Sequence, residues 1–474
     1  MEENRLRTIV EAEIHSAIGY IESETTDARR KSLNAYLRKP YGTEIEGRSS
    51  IVTGEVAEVI DGALPNLMRI FTATDSVVKF EAKNAKGEES AKQATQYCNW
   101  VFTTQNQGFN VLHETFKTAL LQKVGIFKVY YEEKTNSIKE EYKGLTEQEL
   151  VLLLQDDTRE ILEQNTEETF VEEVGPDGQP LPPLVRHDVI VRKKTNIGEI
   201  KIEALPPEEF LISKSAKTIE DSNFVAHRKL VTRSDLVSMG YDPDLVASLP
   251  ANNELSYTPE RIGRFSEGER PDEIESLDKA MQEVEIYECY IYTDFDDDQE
   301  AELRLVVYAA NKILYNEETD YVPFHSICPY PLPHKFFGQS LADRVIDIQE
   351  QKTAITRSVL DSLYLSLAPR IGAVEGQVNL DDLLNLSAGG VVRMKNPNAV
   401  VPMTVPLVAQ QAFPILEYLD QVQGKRSGVS EAMQGLNPDV LQNVTAAAIA
   451  ASTSAATGKI ELIARIFAET TLST

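Results

Sequence analysis

Apolar positions in "NRLRTIVEAEIHSAIGYIES" and "SIVTGEVAEVIDGALPNLMRIF" recur at three- and four-residue steps, the spacing that gathers them on one side of an α-helix. Residues 1 to about 125 therefore predict a mainly helical region. "DSVVKFEAK" breaks the pattern as a short strand. "NQGFNVLHETFKTALLQKVG" restores it as a helix closed by Gly125, and "IFKVYYEEK" alternates with period two, as a strand does. "LTEQELVLLLQDDTREILEQN" predicts one more amphipathic helix with an acidic outer side. Around the turn-rich "GPDGQPLPP", the segments "TFVEEV" and "RHDVIVRKKTNIGEIKIEAL" predict paired strands. "PPEEFLISKSA" continues as irregular β structure, and "TRSDLVSMGYDPDLVASL" is a short helix capped by Thr232 or Ser234. Residues 251–280 are polar and without period, a surface loop. "EVEIYECYIYTDFDDDQEAELRLVVYAANKILY" is a β-hairpin or meander.

The pattern changes after the Pro-rich "YVPFHSICPYPLPHKF". Residues 341–367 predict one helix of about 40 Å at 1.5 Å per residue. Leu341, Val345, Ile348, Ile355, Val359 and Leu363 form its apolar stripe, opposite Arg344, Asp347, Glu350, Gln351, Arg357 and Asp361. So narrow a stripe suits lateral packing against a similar neighbour, with an ordinary amphipathic core helix as the alternative. A compact β-like insert follows, "RIGAVEGQVNLDDLLNLSAGGVVRMKNPNAVVPMTV", then a returning helix, "LVAQQAFPILEYLDQVQGKRSG". The loop "GVSEAMQGLNPDVLQN" leads to a last helix in which Ala446, Ala447, Ala448, Ala450, Ala451, Ala455 and Ala456 leave little side-chain bulk. Such a surface admits close helix approach, between copies crowded around an axis or within one chain. The chain stops at "LST" without a helix-stop signal, so the expectation is a truncated form of a longer product.

A chain of 474 residues with 42% hydrophobic content predicts two to four packed units in a folded protein. No apolar run is long enough to cross a bilayer, and the first residues lack the apolar core of a signal peptide, so a cytoplasm-like compartment and no membrane are expected. Cys98, Cys289 and Cys328 are widely spaced and odd in number, which excludes a disulfide framework. The net charge of -28 argues against a protein that grips nucleic acid through clustered Lys and Arg, but not against one that lets DNA pass.

Candidate chemistry is sparse. Ser340 sits in Gly-x-Ser, but a nucleophile elbow needs Gly two residues later, and Ala342 stands there. With Asp343 three residues on, Ser340 instead matches a helix-start capping pattern. Asp294, Asp296 and Asp298 occupy the first, third and fifth positions of a calcium-loop pattern, whose sixth and twelfth positions fail at Gln299 and Leu305. A solvated hairpin turn is the simpler reading, with a weak cation site as the alternative. His325, Cys328 and His334 lie close in sequence but lack a fourth ligand. Pairs such as Asp156–Asp157 and Asp381–Asp382 could imitate a glycosidase dyad, yet nothing selects them from the acidic background. No phosphate-binding Gly-rich loop or dinucleotide turn occurs, so no cofactor is expected and the chain is not a motor.

Residues 335–469 resemble the portal, or head-to-tail connector, proteins of tailed bacteriophages, in particular the large portals of short-tailed phages. The resemblance rests on "FFGQSLADRVIDIQEQKTAITRSVLDSLYLS", "PRIGAVEGQVNLDDLLNLSAGGVVRMKNP", "FPILEYLDQVQGKRSGVSEAMQGLNPD" and "IELIARIFAET". It implies an α+β portal fold in a cyclic ring. Residues 1–335 would be a wing of mixed helices and strands, 336–367 a stem helix, 368–406 a small α/β clip and 407–427 the returning stem helix. Residues 428–443 would lie near the tunnel constriction, and the small-residue helix of 444–474 would lead towards a crown. On that map Lys425, Arg426, Asn437 and Asn443 are candidates for the DNA channel. Asp381, Asp382, Arg393 and Lys395 are candidates for docking the motor, and Ser340 and Asp343 cap the stem.

The function implied is structural and not enzymatic. A ring of twelve copies at one capsid vertex of the virion would pass double-stranded DNA during packaging and ejection. Its implied partners are terminase, major capsid protein and tail or adaptor proteins, with assembly in the host cytoplasm. The charge then has a use, since a negative wall repels a negative duplex and leaves it centred and mobile. Lys425 and Arg426 are either transient phosphate contacts or simply cations favourable at a helix C-terminus. Two alternatives remain at this point: a capsid or tail scaffold ring without a DNA channel, and a hydrolase using Ser340 or an acidic pair.

Overall fold

The computed structural model of the chain describes residues 3–73, 77–84, 87–156, 158–169, 184–251, 255, 258–265, 278–367, 369–385, 387, 389–403, 409–429 and 446–471. It is a mixed α+β fold. The helical start comprises α1 (Glu3–Ile21), α2 (Asp27–Tyr36), α3 (Glu55–Thr72), α4 (Glu88–Trp100) and α5 (Gly108–Gln122). Leu6, Val10, Ile14, Ala17 and Ile21 are the buried face of α1, at the spacing seen in the sequence. The expected strand at "DSVVKFEAK" is absent. There the amides of Val77 and Val78 donate to the Asn99 side chain and that of Phe80 to Thr95 Oγ1, so side chains of α4 take the place of a partner strand. Nor does Gly125 close α5. That helix ends at Lys123, itself at φ +79, and Gly125 opens the next strand where a Cβ would stand 2.3 Å from the Thr115 carbonyl oxygen.

β1 (Gly125–Leu145) and β3 (Leu184–Leu205) form one long antiparallel ribbon, flanked by β2 (Arg159–Thr169) and by β9 (Phe324–Ile327) in the order β2-β3-β1-β9. The segment expected to be one acidic helix divides into α6 (Glu147–Leu154) and β2. Thr146 and Glu149 make a capping box that starts the helix, and beyond Asp156 the chain turns out to pair with β3. A second sheet has the order β4-β5-β6-β7-β8, from β4 (Phe210–Ile212), β5 (Phe224–Thr232), β6 (Glu283–Thr293), β7 (Glu302–Ala309) and β8 (Lys312–Glu318). The expected meander is its last three strands. Between β5 and β6 come α7 (Arg233–Ser238), capped by Thr232, then α8 (Pro243–Ala247) and α9 (Pro259–Phe265), the last inside the stretch expected to be loop.

After β9 the chain runs through a 3-10 turn (Ala342–Arg344) into α10 (Ile346–Leu367). The expected single helix from 341 is therefore broken near Val345. The insert holds β10 (Arg370–Ala373), α11 (Leu380–Leu384) and β11 (Val400–Met403), with β10 and β11 paired antiparallel. α12 (Ala409–Ser427) returns, and α13 (Ala446–Thr471) is the last helix.

Three hydrophobic clusters hold these elements. The largest joins α1 to the second sheet and to Phe336 and Phe337. Another gathers α2, α3, α5 and the end of α13 around Leu341, Ala342 and Val345, and the smallest packs α7 and α8 on the second sheet. Phe467 is 1% exposed, and its ring meets Phe116 at 5.3 Å, tying the last helix to the first helical block. No helix among the described residues is long and apolar enough to cross a membrane.

Candidate functional site

The long helix is fixed at its root by polar contacts written into the sequence. Ser340 is fully buried. Its Oγ accepts the Asp343 N–H at 2.9 Å while the Asp343 carboxylate accepts the Ser340 N–H at 2.9 Å. Lys123 lies 3.2 Å from the same carboxylate. A hydroxyl so enclosed is spent on the helix start and offers a substrate no access. Leu341, Val345 and Ile348 are buried, so the first part of the apolar stripe enters the body of the protein.

Further along, the contacts become polar. Gln349 is fully buried, accepts the Val56 N–H at 2.9 Å and donates to the Ala35 carbonyl at 2.9 Å. Thr353 meets Thr53 at 2.9 Å. The Lys352 ammonium lies 2.7 Å from Glu55 and 2.6 Å from Asp420, so one cation joins α3, α10 and α12. Burial lowers its pKa, but the two carboxylates outweigh that and raise it. Arg426 adds two bonds of 2.8 and 2.7 Å to Asp347, which sets α12 antiparallel to α10.

The segment 37–54, between α2 and α3, lies along α10 as a strap. The Arg357 guanidinium donates to Glu44 at 2.7 Å and to the Ile51 carbonyl at 2.7 Å, and the Ser49 N–H donates to Asp361 at 2.7 Å. The bond from Arg357 holds the Glu44 carboxyl well below the usual range, at about 2.

Beyond this root the side chains lose their cover. Leu363, Tyr364 and Leu367 on α10, Phe413, Ile415 and Tyr418 on α12, and Leu384, Val391 and Met403 on the insert are all exposed, Val391 to 81%. The helix pair and its small β insert thus carry apolar groups left open to solvent, the kind of surface that marks an interaction site.

A model of the family described as Phage SU10 portal protein matches residues 6–474. The chain belongs to that family. It is thus a phage portal protein, a structural component, and membership of the family implies a place at the capsid vertex in an oligomeric ring. No curated protein matches the chain.

In this portal protein the candidate residues fall into distinct places. Lys425 and Arg426 form the last turn of α12 ahead of Gly428 at φ +77. Arg426 is engaged with Asp347, and the Lys425 carbonyl accepts the Lys459 ammonium. Asn437 and Asn443 lie outside the described residues. Within the insert, Arg393 grips Asp382 through bonds of 2.6 and 2.9 Å, which lowers the pKa of that carboxyl. Asp381 and Lys395 are exposed. Their backbone amides donate to the Asn379 side chain and the Gln377 carbonyl.

The carboxylates of Asp294, Asp296 and Asp298 gather within 4.8 Å, but they accept the turn's own amides: Asp294 those of Asp298 and Gln299, and Asp296 that of Asp298. His325 stacks on Phe127 at 5.2 Å, burial pushes the Cys328 thiol up, and His334 is exposed at φ +65. Among the described residues these three do not converge as a ligand set. Asp156 caps its own turn through Thr158, and Asp157 lies outside the described residues. Sequence reasoning passed over the strap, whose signal is slight: isolated Ile45 and Ile51 in a connection punctuated by Pro40, Gly42 and Gly47.

Proposed function

We propose that copies of this chain close into a ring, of twelve as the family resemblance implies, whose central channel passes double-stranded DNA into and out of the phage head. α10 and α12 serve as the stem, and residues 368–406 as the clip that docks terminase and later the tail or adaptor proteins. Residues 1–335 serve as the wing that meets the capsid protein. The observation that carries this reading is the uncovered apolar surface of the projecting helices and insert. A lone soluble chain gains nothing by exposing Leu367 at 75% and Leu384 at 77%, whereas side-by-side association removes such groups from water.

Each copy brings a formal charge of -28, so a ring of copies encloses a strongly negative space. Repulsion keeps a duplex off the wall and free to slide, where many Lys and Arg contacts would hold it by counterion release. The protein guides DNA and docks partners, without a reaction of its own, at the capsid vertex and, during assembly, in the host cytoplasm. Electron-microscope class averages of the purified full chain at near-physiological salt test the reading. Closed rings with a hole wide enough for a duplex are expected. A population of single chains, or rings with a blocked centre, would sink it.

A further inference from the structure

The strap along α10 is built in an unusual sense. Its polar groups face inward: Glu44, Ser49, the Ile51 carbonyl and Thr53 are all spent on α10. The Tyr41 ring also lies against Arg357, but both isoleucines face out, with Ile45 58% and Ile51 45% exposed. A loop that only needed to lie down on the helix would bury its isoleucines against it.

The strap and α12 occupy different sides of α10. The side chains of Thr353, Arg357 and Asp361, spaced by four, meet the strap, whereas those of Asp347 and Lys352 bond α12. At roughly 100° per residue the mean directions of the two groups are nearly opposite. Each copy therefore presents the order α12, α10, strap. In a cyclic, head-to-tail assembly one edge of a copy must meet the other edge of the next.

The α12 edge carries a fitting surface. Ile415, Tyr418 and Val422 recur at three- and four-residue steps, off the face that holds Ala412 and Leu419 against the chain. Ile415 is 50% and Tyr418 63% exposed. The heights agree as well. The pairs Lys352–Asp420 and Asp347–Arg426 set the antiparallel register, so 415–418 lie roughly level with 354–358 at about 1.5 Å per residue. The strap carboxylate and carbonyl that hold Arg357 are at that same level. Rotation about a ring axis carries a group to its neighbour without changing its height.

We propose that the strap is a subunit-joining element, in which Ile45 and Ile51 of one copy seat against Ile415, Tyr418 and Val422 on α12 of the adjacent copy. This rests on the ring reading above and names the contact within it. The test uses the full chain with Cys98→Ser and Cys328→Ser, carrying Ile45→Cys together with Tyr418→Cys, treated with a short bis-maleimide. Rings are first checked by electron microscopy on wild-type and variant protein. The expected result is intact rings and a covalent ladder rising to ring size, with either single variant giving no ladder. Moving the second thiol to Phe413→Cys, on the other flank of α12, is expected to slow cross-linking by about tenfold, since a tether reacts only where its length spans the sites.

Rings that yield no ladder, or that cross-link equally fast through position 413, overturn the strap contact and leave the ring intact. Failure of the wild-type chain to form rings overturns the reading beneath it as well. Ile45→Glu supplies an independent measure, because the side chain is exposed in the single chain and its replacement leaves folding alone. It is expected to raise the half-assembly concentration by about tenfold or more with an unchanged Tm. An unchanged assembly midpoint would count against the contact.

Discussion

The inner and outer parts of α10 differ in sequence in the direction opposite to their burial. Up to Thr353 the helix is embedded: Ile348, Gln349 and Thr353 are buried, and α2, α3, α12 and the strap all bond to it. From Ala354 onward its outer residues open to solvent, until Leu367 is 75% exposed. The outer part is the richer in apolar residues, eight of fourteen against two of eight, and yet it is the part left exposed. What sets the burial is how many elements of the chain surround each part: α2, α3, α12 and the strap meet the inner part, whereas the strap bonds to Arg357 and Asp361 on one side of the outer part.

The body side of that contrast should break most heavily at its aromatic anchor. Phe467→Ala is expected to cost about 3–5 kcal/mol, read as a large fall in Tm. In the same body, Glu288 accepts two bonds from Lys128 at 2.8 and 2.6 Å. Burial would raise the pKa of Glu288, but Lys128 and Lys229 outweigh it and hold it at about 2, below the ordinary 4.5. A carboxyl depressed in the folded state contributes stability that is complete above the unfolded value and lost as pH falls through the folded one. Denaturant melts of the wild type between pH 4.5 and 2 should therefore show a loss that Glu288→Gln lacks. That variant should also begin about 3–5 kcal/mol less stable at neutral pH, because Lys128 is left buried without its partner.

Smaller effects sharpen the boundary on the helix itself. Gln349→Leu strands the Val56 N–H, at about 1–3 kcal/mol for a donor left unsatisfied, measurable by chemical denaturation, while the Ala35 carbonyl keeps the Arg38 N–H at 3.2 Å. Ser340→Ala removes a cap and should cost about 1 kcal/mol. Last comes Leu367→Ser, expected to change the Tm of the unassembled chain by a stability equivalent of less than about 0.5 kcal/mol while weakening ring formation in a sedimentation assay. A large Tm loss there would show the projecting half to be part of the folding core after all.

Periodicity exposed the helical start, the meander and the two long helices, because each buries one regular face. It failed where side chains stand in for backbone partners, as Asn99 does for Val77 and Val78. It failed too at 146–169, where an apolar run fits helix and strand alike and only pairing with β3 decides between them. Ser340 and Asp343 were legible because a cap depends on neighbours in sequence. The bonds from Gln349 to Ala35 and Val56 were not, since they span about three hundred residues. The strap escaped notice for a related reason. Its value depends on which side faces out, and an irregular segment has no period from which to read that.

One ammonium at the foot of the helix pair has a mechanical meaning. Because Lys352 holds Glu55 of the body and Asp420 of the returning helix together, neither long helix can tilt alone without parting an ion pair. With about 22 Å of α10 beyond that pivot, a small rotation there becomes a broad sweep at the tip. Strain placed on the tip is shared between this joint and the strap bonds to Arg357 and Asp361, and the ion pairs make the two rods move together.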